Sequence, residues 1–250
     1  IYVAYVHDGI ARINITGLAA KTYTDIPVTY YSNSRFYNSN STKITFTVNK
    51  KSTYVMDVKA DDIFYHENAT VRVKLPTDAT GNVTVWVDDH KYENVSIVEG
   101  TAVLTNISGL VSGKHVVNVT YAGDASYGPQ DFNGTEFTVK PAEDWKMNIT
   151  TDEHPYGENT TITIKLPSDV MAKNVTIRID GKVDVVNVTN HVANLTLNNL
   201  SAGTHSANVT AGDANHANKT QTFRPQIAKA TPTITLNQDA AGNVVATLSG

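Results

Sequence analysis

The chain repeats itself at a spacing of about ninety residues, and this limits the fold more than any single motif does. Tyr65-His66-Glu67-Asn68 returns as Tyr156-Gly157-Glu158-Asn159, and Lys74-Leu75-Pro76 returns as Lys165-Leu166-Pro167. The heptapeptide NVTVWVD from Asn82 returns as NVTIRID from Asn174, so the three spacings are 91, 91 and 92 residues. GLAAKTY from Gly17, GLVSGKH from Gly109 and NLSAGTH from Asn199 keep the same phase, as do the FTV segments at Phe46 and Phe137. Four segments follow: 1–49, the C-terminal part of one repeat; 50–139 and 140–228, two complete repeats; and 229–250, the start of another. The first copy has sixteen residues ahead of its Gly-Leu anchor, where the second has about fifty-eight. The twenty-odd residues at the other end are too few to complete it by strand donation, so the chain reads as a window on a longer polypeptide with further repeats.

Within each copy the hydrophobic period is two. ARINITG, TKITFTV, NVTVWVD and VANLTLN alternate apolar and polar residues and are rich in β-branched side chains, which suits strands with one buried face. Asp8-Gly9, Glu99-Gly100 and Asp180-Gly181 are tight-hairpin signals, and Leu-Pro at 75–76 and 166–167 stops a strand. No stretch carries a helical stripe. About seven short strands per ninety residues predict an all-β chain of tandem immunoglobulin-like β-sandwich repeats, arranged end to end as a rod.

Three similar stretches raise the question of a repeated ligand site. They are PVTYYSNSRFY from Pro27, NVTYAGDASYG from Asn118 and NVTAGDANHAN from Asn208. In the structural reading Val117 and Val119 point inward, Gly123-Asp124 turns the chain, and Tyr127 covers the open end of the sandwich. Tyr23, His115 and His205, just after each Gly-Leu anchor, take the place of the tyrosine that bonds back to the preceding corner in such sandwiches. The alternative is calcium held by Asp124 and Asp213, but Asn33 stands at that place in the first copy, and calcium wants six or more oxygens. The turn is the preferred reading.

A strand ending V-T-Y, then x-G-D-x-x-Y, then a Thr-rich strand ending F-T-V resembles the bacterial-type Ig-like repeats in adhesin-like surface proteins of methanogenic archaea. The resemblance covers the whole chain, although the first copy lacks Gly-Asp and the third lacks both aromatics. It implies a cell-surface stalk or adhesin region and transfers no catalytic residue.

An independent signal is the density of N-x-S/T triplets. There are sixteen, where random placement of the Asn, Ser and Thr present gives about four. They lie at Asn14, Asn40, Asn68, Asn82, Asn94, Asn106, Asn118, Asn133, Asn148, Asn159, Asn174, Asn187, Asn194, Asn199, Asn208 and Asn218. Strand alternation makes some sequons automatically, yet Lys, Glu or Gln would serve the outward position equally. N-glycan acceptors are therefore expected, which locates the chain outside the cytosol, at the cell surface.

Other classes find little support. Twenty basic against 24 acidic residues, with no basic cluster, argue against nucleic acid. No apolar run reaches eighteen residues, so no membrane contact is expected of this segment. Cysteine is absent, which excludes disulfides and thiolate metal sites. His7, His66, His90, His115, His154, His191, His205 and His216 show no metal-ligand spacing in the sequence; His205 and His216 bracket Asp213, but a polar loop is the simpler account. Asp61-Asp62 and Asp88-Asp89 read as solvated turns, and Lys74 and Lys165 as outward residues. No catalytic, cofactor or metal residue is assigned, and the chain is read as non-enzymatic. Trp86 faces outward by parity; such an indole can serve as a sugar platform, but packing on a neighbouring domain, a neighbouring chain or an attached glycan is the preferred reading, and Trp145 reads as a wedge between domains. The expected partners are covalent N-glycans, further Ig-like repeats of the same or neighbouring chains, and glycans or proteins of another cell. Three readings follow: a stalk or fibre, a carbohydrate- or protein-binding adhesin module, and an accessory domain of a surface enzyme. The first is preferred.

Overall fold

The computed structural model describes residues 1–152, 154–198 and 200–249, and none of these is helical. By their contacts the residues fall into two units. The first comprises Ile1–Asp62, Asn68–Ser108 and Lys114–Thr138; the second comprises Ile63–Glu67, Gly109–Gly113 and Val139–Gly250.

In the first unit β1 (Thr22–Tyr30) and β2 (Asn40–Thr47) form an antiparallel pair, in which Tyr23 stacks on Phe46 with ring centroids 5.2 Å apart. There follow β3 (Asp57–Ala60), β4 (Ile63–Phe64), which belongs to the second unit and pairs there with Val139 and Lys140, β5 (Ala69–Lys74), β6 (Asn82–Val87), β7 (His90–Val98), β8 (Thr101–Ile107), β9 (Gly113–Tyr121) and β10 (Gln130–Lys140). Their order is β3-β5-β8-β7-β6-β9-β10-β4. The long β7 joins the two halves, since Tyr92 pairs with Val85 on β6 and Ile97 with Ala102 on β8. The period-two reading holds residue by residue on β5, β6 and β9, where Val71 and Val73, Val83, Val85 and Val87, and Val117, Val119 and Tyr121 are each at most 1% exposed. The residues between them, such as Arg72, Thr84 and Asn118, are exposed or half-buried. In the first copy ARINITG forms no strand and is exposed, and β2 is exposed at seven of its eight residues, because no second sheet among the described residues covers them.

The second unit holds β11 (Asn148–Thr151), β12 (Thr160–Lys165), β13 (Asn174–Ile179), β14 (Lys182–Asn187), β15 (Val192–Leu197), β16 (Gly203–Thr204), β17 (Ala207–Ala211), β18 (Lys219–Phe223), β19 (Gln226–Ile227), β20 (Thr233–Gln238) and β21 (Val244–Ser249). A three-stranded sheet, β11-β12-β15, and a four-stranded sheet, β14-β13-β17-β18, share one core. Ile162, Ile164 and Ala193 from the first meet Val175, Ile177 and Val209 from the second, all 0% to 1% exposed. This is an immunoglobulin-like sandwich, closed by burial of β-branched side chains at roughly 1.5–3 kcal/mol each. Trp145 belongs to this core at 6% exposure, which corrects the expectation of a wedge between domains.

The turn signals form as read. At Asp8-Gly9, Glu99-Gly100 and Asp180-Gly181 both residues have positive φ, the condition of a type I′ turn. Gly100 is obligatory for a second reason: a Cβ there would lie 2.4 Å from the Pro76 carbonyl oxygen. Pro76 and Pro167 follow the ends of β5 and β12, where a missing N–H is tolerated.

The core yields a prediction. Ile177→Ala should cost about 2–5 kcal/mol in chemical denaturation, from lost burial and a residual cavity. Val103→Ala, at a position 38% exposed on β8, should stay within about 0.5 kcal/mol.

Candidate functional site

The G-D corner is a structural device, built in two copies with matching bonds. After β9, Gly123 takes φ +83°, and a Cβ on it would lie 2.5 Å from the Tyr127 carbonyl oxygen. Asp124 then closes the loop. Its Oδ1 accepts the N–H groups of Ser126 and Tyr127, both at 2.8 Å, and its Oδ2 accepts the Thr80 N–H at 2.8 Å and the Thr80 hydroxyl at 3.1 Å. Burial alone would raise this carboxyl; the hydrogen bonds outweigh it and hold Asp124 far below the usual carboxylate range. Both oxygens are engaged by protein donors, so the calcium alternative lacks its ligands here.

The corner is pinned from outside. Tyr127, 6% exposed, donates its hydroxyl to Asp78 Oδ1 at 2.6 Å, and this bond, with burial second, pushes the phenol up to about 12. Tyr54 donates its hydroxyl to the Gly128 carbonyl at 2.6 Å. In the second unit Asp213 Oδ1 accepts the N–H groups of Asn215 at 2.8 Å and His216 at 2.7 Å, while its Oδ2 accepts that of Met171. Trp145 donates Nε1–H to the Ala217 carbonyl at 2.9 Å, doing for this corner what Tyr54 does for the other.

The residue after the Gly-Leu anchor also behaves as read. Tyr23 donates its hydroxyl to the Ala19 carbonyl at 3.1 Å, and His205 donates Nε2–H to the Ser201 carbonyl at 2.8 Å, each four residues back. The histidines add a bond that tyrosine has no atom for. His205 Nδ1 lies 2.5 Å from Asp180 Oδ2, and His115 Nδ1 lies 2.7 Å from Asp88 Oδ2. Each aspartate also accepts a backbone N–H through Oδ1, from Ser206 and Val116. Asp88 is therefore no idle solvated turn residue. With both ring nitrogens facing acceptors, the imidazolium form of His205 is favoured: the Asp180 bond and then the Ser201 carbonyl raise it above its usual value. The His205 bond and then the Ser206 N–H lower Asp180.

The sequon asparagines follow the alternation. Asn199 lies outside the described residues; of the other fifteen, thirteen are exposed and Asn118 and Asn208 are half-buried. On β6, β9, β13 and β17 the residue after each sequon Asn, Val83, Val119, Val175 or Val209, is 0% to 1% exposed. Asn118 sits directly opposite Trp86 across the β6–β9 ladder, with its amide oxygen accepting the Gly134 N–H at 3.0 Å. Lys91 Nζ stands 5.4 Å from the Trp86 ring centroid. Asn208 occupies the corresponding place opposite Arg178. Lys74 and Lys165 are exposed, as their parity required.

One group was missed in the sequence. His66, Asp169 and His216, all in the second unit, place ligand atoms within 4.8 Å of one another. They are 103 and 47 residues apart along the chain, so no local spacing could reveal them. His205, which flanks the same loop in the sequence, is instead committed to Asp180.

No family model matches the chain, and no curated protein does. Among solved structures it is similar to the two-domain fibronectin type-III segment of chicken tenascin (12% identity, 70% of this chain and 99% of that one, TM-score 0.42). It is also similar to the amphioxus IgVJ-C2 molecule (16%, 66% and 99%, TM-score 0.39) and to the chicken interferon gamma receptor alpha chain (12%, 71% and 100%, TM-score 0.37). Likenesses this distant bear no weight alone, and the sandwich assignment rests on the chain's own strand pairing.

The His205–Asp180 pair gives stability a pH dependence. A raised histidine value stabilises fully below the unfolded value of about 6.5, and that gain is lost as pH rises through the folded value. A lowered aspartate value stabilises fully above about 3.9 and is lost as pH falls through the folded value. The combined contribution is complete between about pH 4 and 6.5. His205→Tyr, which restores the first copy's residue and its bond to the carbonyl, should remove the alkaline decline from a plot of melting temperature against pH. An unchanged decline would remove His205 as its source.

Proposed function

We propose that the chain is a segment of a non-enzymatic stalk or fibre, made of tandem Ig-like repeats, in a large N-glycosylated adhesin-like protein at the cell surface. The observation that carries this reading is the placement of the sequons: every described acceptor asparagine is exposed or half-buried, while on β6, β9, β13 and β17 the valine that follows it is buried in a core. The amide nitrogen that would carry sugar on Asn118 is not the atom bonded to Gly134. The V-T-Y, G-D and F-T-V pattern supports an archaeal surface repeat in particular. The segment boundaries near 49, 139 and 228 are part of the same reading, supported by equivalent bonds 89 to 92 residues apart. A non-enzymatic role is supported by what the polar groups do. Asp78, Asp88, Asp124, Asp180 and His205 all hold loops together. No helix among the described residues is long and apolar enough to cross a membrane.

An adhesin module that binds protein or carbohydrate is the second reading, and the β1–β2 loop favours it. Tyr31, Phe36 and Tyr37 are 83%, 88% and 73% exposed there. Against it, the sequon Asn40 pairs directly with Tyr30 at the same loop, where a glycan would cover the aromatics.

Intact-glycopeptide mass spectrometry on native protein tests the proposal. Asn82, Asn118, Asn174 and Asn208 should carry sugar. If these four are bare, the sequons are a by-product of strand alternation and the glycosylated-stalk reading falls; sugar on all four but none on Asn40 would favour the adhesin module.

A further inference from the structure

Repeats two and three differ at two places whose histidines meet in space, beside an aspartate that both copies keep. Tyr127, which bonds Asp78 in one copy, is His216 in the next, and Asp78 is matched by Asp169. Gly157 of the YGEN segment, at φ +95°, is matched in YHEN by His66, at φ +78°. Left-handed backbone is adopted freely by glycine and at a conformational cost by an imidazole-bearing residue. His66 therefore occupies a position whose backbone suits the glycine found in the other copy.

The geometry around His216 is the second observation. Its ring is 1% exposed, and Nδ1 lies 2.9 Å from Asp213 Oδ1, so that nitrogen donates. In the neutral ring Nε2 then carries a lone pair, yet it faces Asp169 Oδ2 at 3.3 Å, one acceptor against another. The same Asp169 oxygen lies 2.9 Å from His66 Nε2. A second ring proton or a metal cation among the three atoms removes the conflict, and the second imidazole nitrogen on the same Asp169 oxygen favours the metal. Tetrahedral zinc, with ligands at about 2.0–2.1 Å, holds them about 3.4 Å apart. The Asp213 contact is the carboxylate–histidine support that fixes ring tautomer and orientation in metal sites. Tyr65 packs against both rings, its centroid 4.1 Å from that of His66 and 5.4 Å from that of His216. The His66 and Asp169 side chains are 57% and 43% exposed, which leaves an entry path and room for water as the fourth ligand.

We propose that His66 Nε2, His216 Nε2 and Asp169 Oδ2 bind one divalent transition-metal ion of the zinc class, with Asp213 orienting His216. The assignment stands apart from the glycan reading. In the repeat array it makes a metal clip in the second unit out of positions that are tyrosine and glycine in the sister copies.

The test uses the full chain, stripped of metal, with zinc chloride and cobalt chloride as the probes. Isothermal titration should show one zinc per chain, and cobalt should develop the visible bands of a tetrahedral N/O site. His66→Gly, which restores the backbone preference of the other copy, and Asp169→Asn should each weaken zinc at least about tenfold. Both positions are exposed, so these variants keep the fold testable if His216→Tyr does not. His90→Ala should bind as the parent does. Imidazole NMR separates metal from proton: with zinc, His216 should keep one tautomer and stop titrating. No stoichiometric binding, affinity unchanged in both variants, or a His216 ring that titrates identically with and without zinc would each overturn the assignment.

Discussion

A single carboxylate closes each loop corner, and the open end of the sandwich depends on it. Asp124 gathers four donors, from its own turn and from Thr80, which tie the β9 loop to the residues entering β6. Asp213 repeats the arrangement with Met171 in the place of Thr80. Each loop turns several backbone N–H groups toward one point, and the aspartate satisfies them together, which holds an irregular segment in place at the end of the sandwich. Gly123 is fixed by the same bonds, because the turn that delivers Ser126 and Tyr127 to the carboxylate leaves no space for a Cβ.

The sandwich and the proposed glycan coat come from one pattern. On β6, β9, β13 and β17 Asn-Val-Thr puts valine inside and both sequon residues outside, so each of these strands would double as an acceptor site. Dense sugar on both faces would shield the backbone edges that flat sheets present to other chains. It also explains how a chain with few charges on its strands would remain dispersed. Trp86 opposite Asn118 fits this picture, since an indole beside an attachment point offers apolar surface for sugar to cover.

Much of this was legible in the residues. Alternation gave the buried valines of β6, β9, β13 and β17, and the Asp-Gly and Glu-Gly pairs gave the hairpins. Repeat phase located Tyr23 and His205 as anchors that reach back four residues. What alternation could not supply is which side chains meet across long sequence separations. Trp145 was misread because its sequence neighbours mark a boundary, whereas its indole N–H reaches Ala217, which only the folded corner brings close. Asp88 was passed over for a similar reason: nothing local says that a turn aspartate faces a histidine twenty-seven residues on. The His66, Asp169 and His216 group lay hidden in three different motifs.

These cases share a rule about how repeats acquire chemistry. The scaffold of each copy sets slots with fixed geometry, such as the position four residues after a carbonyl, the aromatic that seals the corner, and the left-handed residue of the Y-x-E-N segment. A slot tolerates any side chain that keeps its main bond. Tyrosine and histidine both satisfy the anchor, but only histidine has a second nitrogen, and the hairpin aspartate answers it. Tyrosine and histidine both donate their backbone N–H to the corner aspartate, but only the imidazole brings two ring nitrogens, one that donates to Asp213 and one that keeps a lone pair for a metal. Function in such an array is therefore sought where one copy departs from its sisters while the slot's first bond persists. His216 and Asp169 meet that condition as a pair, and His66 sharpens it by occupying a backbone conformation better suited to the glycine it replaces.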